Sequence, residues 1–122
     1  PALPGASEAL WRLSDDGVHI RVVTHRLIAK HGHLRSVSDT VIGLEAANIP
    51  YTDLCFVGDK TGVGADAYVD DAPHNIAALR GAGKPVGIMD YAYNRHLPGP
   101  RARDWVEMES LIRTMLLAGP AA

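Results

Sequence analysis

Apolar residues follow two patterns along the chain, and segments of the two kinds alternate. Four segments carry apolar residues three and four positions apart, the spacing of one helix face. They are residues 6–13, before a stop at Asp16-Gly17, and residues 36–48, 73–79 and 105–117. Four shorter segments are rich in apolar residues and predict strands; they are residues 18–23, 55–58, 66–70 and 85–89. This alternation predicts an α/β fold built on a parallel sheet. Residues 90–103 are polar and are predicted to be a loop.

Size and charge limit what the chain can be. Its 122 residues fit one domain with a real core, so we expect a single domain over residues 1–122. A net charge of −2 and a pI near 6.3 provide no basic face, so neither nucleic acid nor an anionic membrane is an expected partner. No apolar stretch approaches the ~20 residues of a spanning helix, and the start of the sequence lacks a signal pattern. We expect a cytoplasmic protein.

Three local patterns imitate known binding sites but fail on order or context. Gly62 and Gly64 suggest a phosphate-binding loop, but Lys60 precedes these glycines instead of following them. The glycines of residues 81–87 imitate a dinucleotide fingerprint, but they join a helix to a strand, which predicts a helix C-cap instead. The histidines of residues 31–33 could bind zinc, yet no cysteine or further close histidine completes a site.

Polar residues suited to chemistry stand where the predicted strands end. Thr24 ends the first strand, and Lys60 follows the next apolar run. Asp70 and Asp71 close the run after that. Parallel strands place their carboxyl ends at one edge of a sheet, where ligands bind. Threonine and lysine can bind an anion, whereas two adjacent carboxylates repel each other and need a cation. The alternative is a surface lysine and a solvated acidic turn, and the two aspartates taken alone favour it.

The order of these residues carries a family resemblance. Followed by Asn-Arg-His-Leu at residues 94–97, the chain resembles the haloacid dehalogenase-like phosphohydrolases, specifically the 5′(3′)-deoxyribonucleotidase group. The opening residues 1–10 resemble that group too. The resemblance covers nearly the whole chain, and the combination is far more specific than any one piece. It implies a three-layer, doubly wound (Rossmann-like, HAD-type) parallel sheet.

The resemblance also implies an activity and a role for each residue. The group removes phosphate from (deoxy)nucleoside monophosphates through an aspartyl-phosphate, with Mg²⁺ as cofactor. Carried over to this sequence, Asp71 binds Mg²⁺. Asp70 acts either as an acid that supports Asp71 without contacting the metal, or as an alternative metal ligand. Thr24 binds a phosphoryl oxygen, and Lys60 offsets the phosphoryl charge. The residues so assigned to the substrate are Thr24, His25, Arg26 and Lys60, and those assigned to catalysis are Thr24, Lys60 and Asp70.

One family motif is missing from these residues. The family's nucleophile is the first aspartate of an Asp-x-Asp motif on an N-terminal strand, and no Asp-x-Asp occurs in this sequence. We therefore expect the chain alone to be inactive and an N-terminal segment, of the same or a separate chain, to supply the motif and the cap. In the family's strand order the missing strand lies between the strand that ends at Thr24 and the one that ends at Asp70. We expect a gap there that another strand fills.

Two other functional classes stay open. Response-regulator receiver domains combine paired acids, a threonine and a lysine around Mg²⁺, but their acid pair comes first. Here Thr24 precedes Lys60, and Lys60 precedes Asp70 and Asp71, which disfavours a receiver. A non-catalytic relative that binds a nucleotide or a protein partner is also compatible with the missing nucleophile. The sequence leaves the oligomeric state open, a homo-oligomer included.

Overall fold

The computed structural model describes residues 4–24, 33–51, 53–56 and 64–118, with backbone only at 24, 33–37 and 53–56. The chain divides into two compact units, residues 1–58 and 59–122. A single domain over the whole chain therefore stays a prediction. Among the described helices, none combines the length and apolar character that a bilayer-spanning helix requires.

The first unit pairs two parallel strands. Its elements are α1 (Ala6–Asp15), β1 (Arg21–Thr24), α2 (His33–Ala46) and β2 (Asp53–Phe56). The strands run in register, with Arg21 opposite Asp53 and Thr24 opposite Phe56. Both strands overlap the predicted apolar runs but begin and end at different residues. The helix α2 begins at His33, three residues before the predicted segment.

The first strand is less enclosed than its apolar sequence predicts. Val22 and Val23 are half-buried, and Arg21 is exposed. In the described part of the chain, β1 pairs with one neighbour, β2. A strand with one neighbour has unpaired N–H and C=O groups along its other edge. The filled gap beside this strand stays a prediction.

The second unit holds the larger sheet. Its elements are β3 (Tyr68–Asp70), α3 (Pro73–Gly81), β4 (Val86–Met89), a short 3₁₀ helix (Ala92–Asn94), β5 (Arg101–Ala102) and α4 (Trp105–Ala118). The sheet order is β3-β4-β5, and both pairings are parallel. The prediction of an α/β fold with a parallel sheet is therefore confirmed. The doubly wound strand order of the whole chain stays a prediction.

The prediction of a loop over residues 90–103 is wrong in part. Ile88 N–H donates to the carbonyl of Pro100 over 3.0 Å, and Asp90 N–H donates to the carbonyl of Ala102 over 2.8 Å. These bonds add β5 to the sheet beside β4. A strand of two residues, one of them arginine, has no apolar run, so periodicity cannot reveal it.

The central strand β4 is covered on both faces. Its four residues are all buried. Val86 and Ile88 belong to a core cluster with Ile76 and Leu79 of α3. Between them, a Cβ on Gly87 would meet side chains of α4 at 3.0–3.3 Å. Since alternate residues of a strand point to opposite faces, α3 and α4 cover opposite sides of this sheet.

The glycines after α3 form the helix C-cap that the sequence predicts. Gly83 has a φ of +77°, a conformation that favours glycine. Its N–H donates to the carbonyl of Arg80 over 3.0 Å, and Lys84 N–H donates to the carbonyl of Leu79 over 2.9 Å. This pair of bonds is a Schellman motif. The glycines thus end α3 and turn the chain toward β4.

Replacing Gly87 with alanine should destabilise the fold. The new methyl group would press on Leu111, Met108 and Met115 of α4 at 3.0, 3.2 and 3.3 Å. Overpacking of this kind costs about 1–3 kcal/mol, which urea unfolding would measure. The matched control is Gly81→Ala, because nothing lies within 4 Å of a Cβ there; it should raise stability by about 0.4–1 kcal/mol. Equal stability of the two variants would contradict the close packing of α4 on β4.

Candidate functional site

The structure places three of the predicted site residues at strand ends. Thr24 is the last residue of β1. Asp70 is the last residue of β3, and Asp71 follows it. Lys60, with the two residues after Thr24 (His25 and Arg26), lies outside the described residues. The site can therefore be built around the two aspartates of the second unit.

Asp70 holds the turn between β3 and α3. Its side chain is buried, with 9% of the residue exposed. Its Oδ1 accepts the N–H of Asp71 over 2.8 Å and the N–H of Ala72 over 3.0 Å. Pro73 then begins the helix, a position that suits proline because the N–H there has no helical partner. The Asp70 carboxylate therefore fixes the backbone that carries Asp71.

Asp71 is held at two points by the segment after β4. The Tyr93 hydroxyl donates a hydrogen bond to Asp71 Oδ2, and Asn94 Nδ2 donates to the Asp71 carbonyl over 2.9 Å. The hydrogen bond to Asp71, with desolvation and the nearby negative charges, raises the pKa of Tyr93 to about 12. The Tyr93 ring also stacks on Tyr91, with 5.3 Å between ring centres and 5° between planes.

Asn94 is the centre of the polar network. It is fully buried, at 0% exposure, and its amide makes four hydrogen bonds. Nδ2 donates to the carbonyls of Asp71 and Met89, each over 2.9 Å. Oδ1 accepts from the N–H of Tyr91 over 3.1 Å and from Arg101 over 3.2 Å. An amide side chain offers two donors and two acceptor positions, so all of them are satisfied.

Asp90 pairs with two arginines where β4 ends. Arg101 donates to Asp90 Oδ1 over 2.5 Å, and Arg95 NH2 lies 3.3 Å from Oδ2. Burial raises the pKa of Asp90, but the hydrogen bonds and charges of Arg101 and Arg95 outweigh it and hold the pKa below its ordinary value. Arg101 also donates to the carbonyls of Asn94 and Leu97 over 3.1 and 2.6 Å. The charge of Asp90 is therefore balanced within the protein.

Asp71 differs from Asp90 in the charge of its hydrogen-bond partners. In the described part of the chain, its carboxylate is bonded to a neutral phenol and its carbonyl to a neutral amide. The residue is only half-buried. No group of three or more His, Cys, Asp or Glu side chains suited to a metal occurs among the described residues. Mg²⁺ needs no such cage, because it binds one or two carboxylates and keeps several waters or substrate oxygens. The Asp71 carboxylate fits that requirement.

Sequence reasoning missed Tyr93, Asp90 and Arg101. Asp90 directly follows β4, as Asp71 follows β3, so the rule that ligands gather at strand ends could have found it. Tyr93 carried no signal, because its partner Asp71 lies 22 residues away. Asn94 was noted only as part of a family pattern, and the structure gives it a role.

Removing the Asn94 amide should strongly destabilise the second unit. Asn94→Leu would leave the buried carbonyl of Met89 and the partly buried carbonyl of Asp71 without this donor, at about 1–3 kcal/mol for a fully buried group. We expect a loss of about 3 kcal/mol or more in urea unfolding. The matched control is Asn75→Leu on α3, which is half-buried and should change stability by about 0.5 kcal/mol or less. Similar small losses in both variants would show that the network is dispensable.

The Asp90 ion pairs should give a stability that depends on pH. A carboxyl with a lowered pKa stabilises the fold at pH values above its ordinary pKa of 3.8, and the effect is lost as the pH falls through the folded value. Asp90→Asn should therefore be less stable than wild type at pH 7, and the difference should shrink below about pH 4. Exposed Asp66 provides the control, because Asp66→Asn should show no such difference. A difference for Asp90→Asn that stays constant down to pH 2 would contradict this account.

Comparisons with known proteins show the family to which the chain belongs. The sequence profile of the family described as 5′ nucleotidase, deoxy (pyrimidine), cytosolic type C protein matches residues 1–118. The chain is also 44% identical over 115 residues to a protein of Chlorobaculum tepidum named "Putative 5′(3′)-deoxyribonucleotidase". That match covers 94% of this chain and 57% of the relative, so the chain spans little more than half of the relative's length. The resemblance seen in the sequence is confirmed: the chain belongs to the 5′-nucleotidase family of deoxy (pyrimidine), cytosolic type C proteins.

Proposed function

We propose that this chain is the C-terminal part of a Mg²⁺-dependent phosphohydrolase that removes phosphate from (deoxy)nucleoside monophosphates. The observation that supports the proposal is the set of hydrogen-bond partners of the Asp71 carboxylate. Its carboxylate lies just past the end of β3, held by a neutral phenol, while the neighbouring Asp90 is already paired with arginines. A negative group fixed in this way, without a described cationic partner, suits a divalent cation.

The reaction makes a simple electrostatic demand on the protein. A phosphoryl group carries negative charge that must be offset as the bond to the leaving oxygen breaks. In our proposal Thr24 donates to a phosphoryl oxygen, and the compact positive charge of the Lys60 ammonium offsets the phosphoryl charge. His25 and Arg26, which follow Thr24 in the sequence, contact the rest of the nucleotide. The family match over residues 1–118 supports a nucleotidase reaction, and these residue roles are part of our proposal.

The aspartates have different tasks in this proposal. Asp71 would hold Mg²⁺, which when bound neutralises phosphoryl charge and orients the group for attack. Asp70 keeps one carboxylate oxygen on the N–H groups of Asp71 and Ala72. We therefore favour a role for Asp70 as an acid that supports Asp71 without contacting Mg²⁺, over a role as a direct Mg²⁺ ligand. Its removal should loosen the turn that carries Asp71.

In our proposal the nucleophile comes from outside these 122 residues. The sequence contains no Asp-x-Asp, and the Chlorobaculum tepidum relative is longer than this chain. In the proposed reaction, an aspartate carboxylate oxygen attacks phosphorus, and the bond from phosphorus to the nucleoside oxygen breaks. A second acid protonates the departing oxygen, and water then hydrolyses the aspartyl-phosphate. We propose that an N-terminal segment supplies both acids, and that this chain alone is inactive.

The choice among the classes rests on the family match. A receiver domain accepts phosphate on its own aspartate and does not release a nucleoside. Membership of a nucleotidase family over residues 1–118 favours hydrolysis. A non-catalytic nucleotide binder would differ from our proposal in one measurable way, since it would bind a monophosphate without releasing phosphate. A cytoplasmic location stays a prediction.

The decisive variant is Asp71→Ala in the full-length protein that carries the Asp-x-Asp segment. Phosphate release from a deoxynucleoside monophosphate should depend on Mg²⁺ in the wild type. In the variant kcat should fall by more than about 100-fold, because changes even behind a metal ligand cost about 10–100-fold.

The matched control is Asp66→Ala, an exposed aspartate shortly before β3. It should keep kcat within about twofold, since it lies at the far end of the strand from Asp71 and removes the same charge. Wild-type turnover that survives removal of Mg²⁺ by a chelator would refute the metal's role. Binding of the monophosphate without phosphate release would favour the non-catalytic class.

Turnover by the purified 122-residue chain would refute the proposed source of the nucleophile.

A further inference from the structure

We infer that Tyr93 is a positioning residue for the divalent cation, whose hydroxyl fixes the Asp71 carboxylate in the orientation that binds the metal. This inference rests on the proposed function, because it concerns the same carboxylate. It goes beyond that function by assigning a role to a residue outside the strand-end motif. Tyr93 lies in the 3₁₀ helix Ala92–Asn94, 22 residues from Asp71 in sequence.

Tyr93 and Asn94 both donate hydrogen bonds to Asp71. Asn94 Nδ2 bonds the Asp71 carbonyl, and the Tyr93 hydroxyl bonds Asp71 Oδ2. Asn94 is itself tied to the end of β4 through the Met89 carbonyl. Backbone and side chain of one aspartate are thus fixed by consecutive residues of a short helix that is anchored to the sheet. A carboxylate held in this way cannot rotate freely.

The Tyr93 ring is held as well as its hydroxyl. It stacks on Tyr91 with the two planes 5° apart, and 53% of the residue remains exposed. Stacking on one side limits the positions that the hydroxyl can reach. Because the Tyr93 hydroxyl occupies Asp71 Oδ2, our inference assigns the cation to Oδ1. Mg²⁺ demands near-ideal octahedral geometry, so a ligand with a fixed orientation binds it more tightly than one that rotates.

Tyr93→Phe tests this inference, because it removes the hydroxyl and keeps the stacked ring. In the full-length protein, calorimetric titration with Mg²⁺ alone should show a Kd about 10-fold higher than in wild type. The Mg²⁺ concentration for half-maximal turnover should rise by the same factor. At saturating Mg²⁺, kcat and the KM for the nucleotide should stay within about twofold of wild type. A merely structural role would lower the unfolding midpoint without this selective loss of metal affinity.

The matched control is Tyr51→Phe, which removes a tyrosine hydroxyl in the first unit, next to β2. It should leave the Kd for Mg²⁺ unchanged. An unchanged or tighter Kd in Tyr93→Phe, with wild-type protein that does bind Mg²⁺, would overturn this inference alone. A change in KM for the nucleotide without a change in metal affinity would also overturn it, since it would place Tyr93 on the substrate. Wild-type protein that neither binds nor requires Mg²⁺ would overturn the proposed function and this inference with it.

Discussion

The second unit depends on one buried amide. The Asn94 amide satisfies all of its donors and acceptors inside the protein, and its partners lie after β3, at the end of β4, in the segment after β4 and in β5. Its donors hold the backbone at the ends of β3 and β4, and its acceptor receives Arg101 from β5. An unpaired buried polar group is unfavourable by about 1–3 kcal/mol, so these segments are stable only in this mutual arrangement. Hydrogen bonds of the Asn94 amide thus connect the short 3₁₀ helix to the third strand and to the backbone of Asp71.

Three aspartates lie at the ends of the neighbouring strands β3 and β4, and the protein treats each of them differently. Asp70 turns one oxygen to backbone N–H groups, and Asp90 is neutralised by Arg101 and Arg95. Asp71 is fixed by Tyr93, which contributes no charge. Aspartate therefore stabilises a turn in one place, forms ion pairs in another and is a candidate metal ligand in a third. All three residues lie at strand ends, so their different roles come from the hydrogen-bond donors around each carboxylate.

Sequence patterns predicted the elements whose apolar residues repeat, but they missed a very short strand and a contact between residues distant in sequence. The helices and β4 were found because buried faces impose a period on apolar residues, and the helix cap at Gly83 was found because left-handed backbone favours glycine. The strand β5 was missed because two residues carry no period. For the candidate site, the position of Asp70 and Asp71 at a strand end was predicted, whereas the contact between the Tyr93 hydroxyl and Asp71 was not. Pairing between distant residues is a property of packing, which one sequence does not display.

The central claim is that Asp71, oriented by Tyr93, holds the divalent cation. Anomalous scattering from crystals of the full-length protein soaked in Mn²⁺, which takes the same oxygen ligands as Mg²⁺, tests it most directly. The account predicts a peak about 2.1 Å from one carboxylate oxygen of Asp71, with the Tyr93 hydroxyl still on the other oxygen. A peak at Asp90 instead, or a metal on Asp71 with Tyr93 turned away, would contradict it.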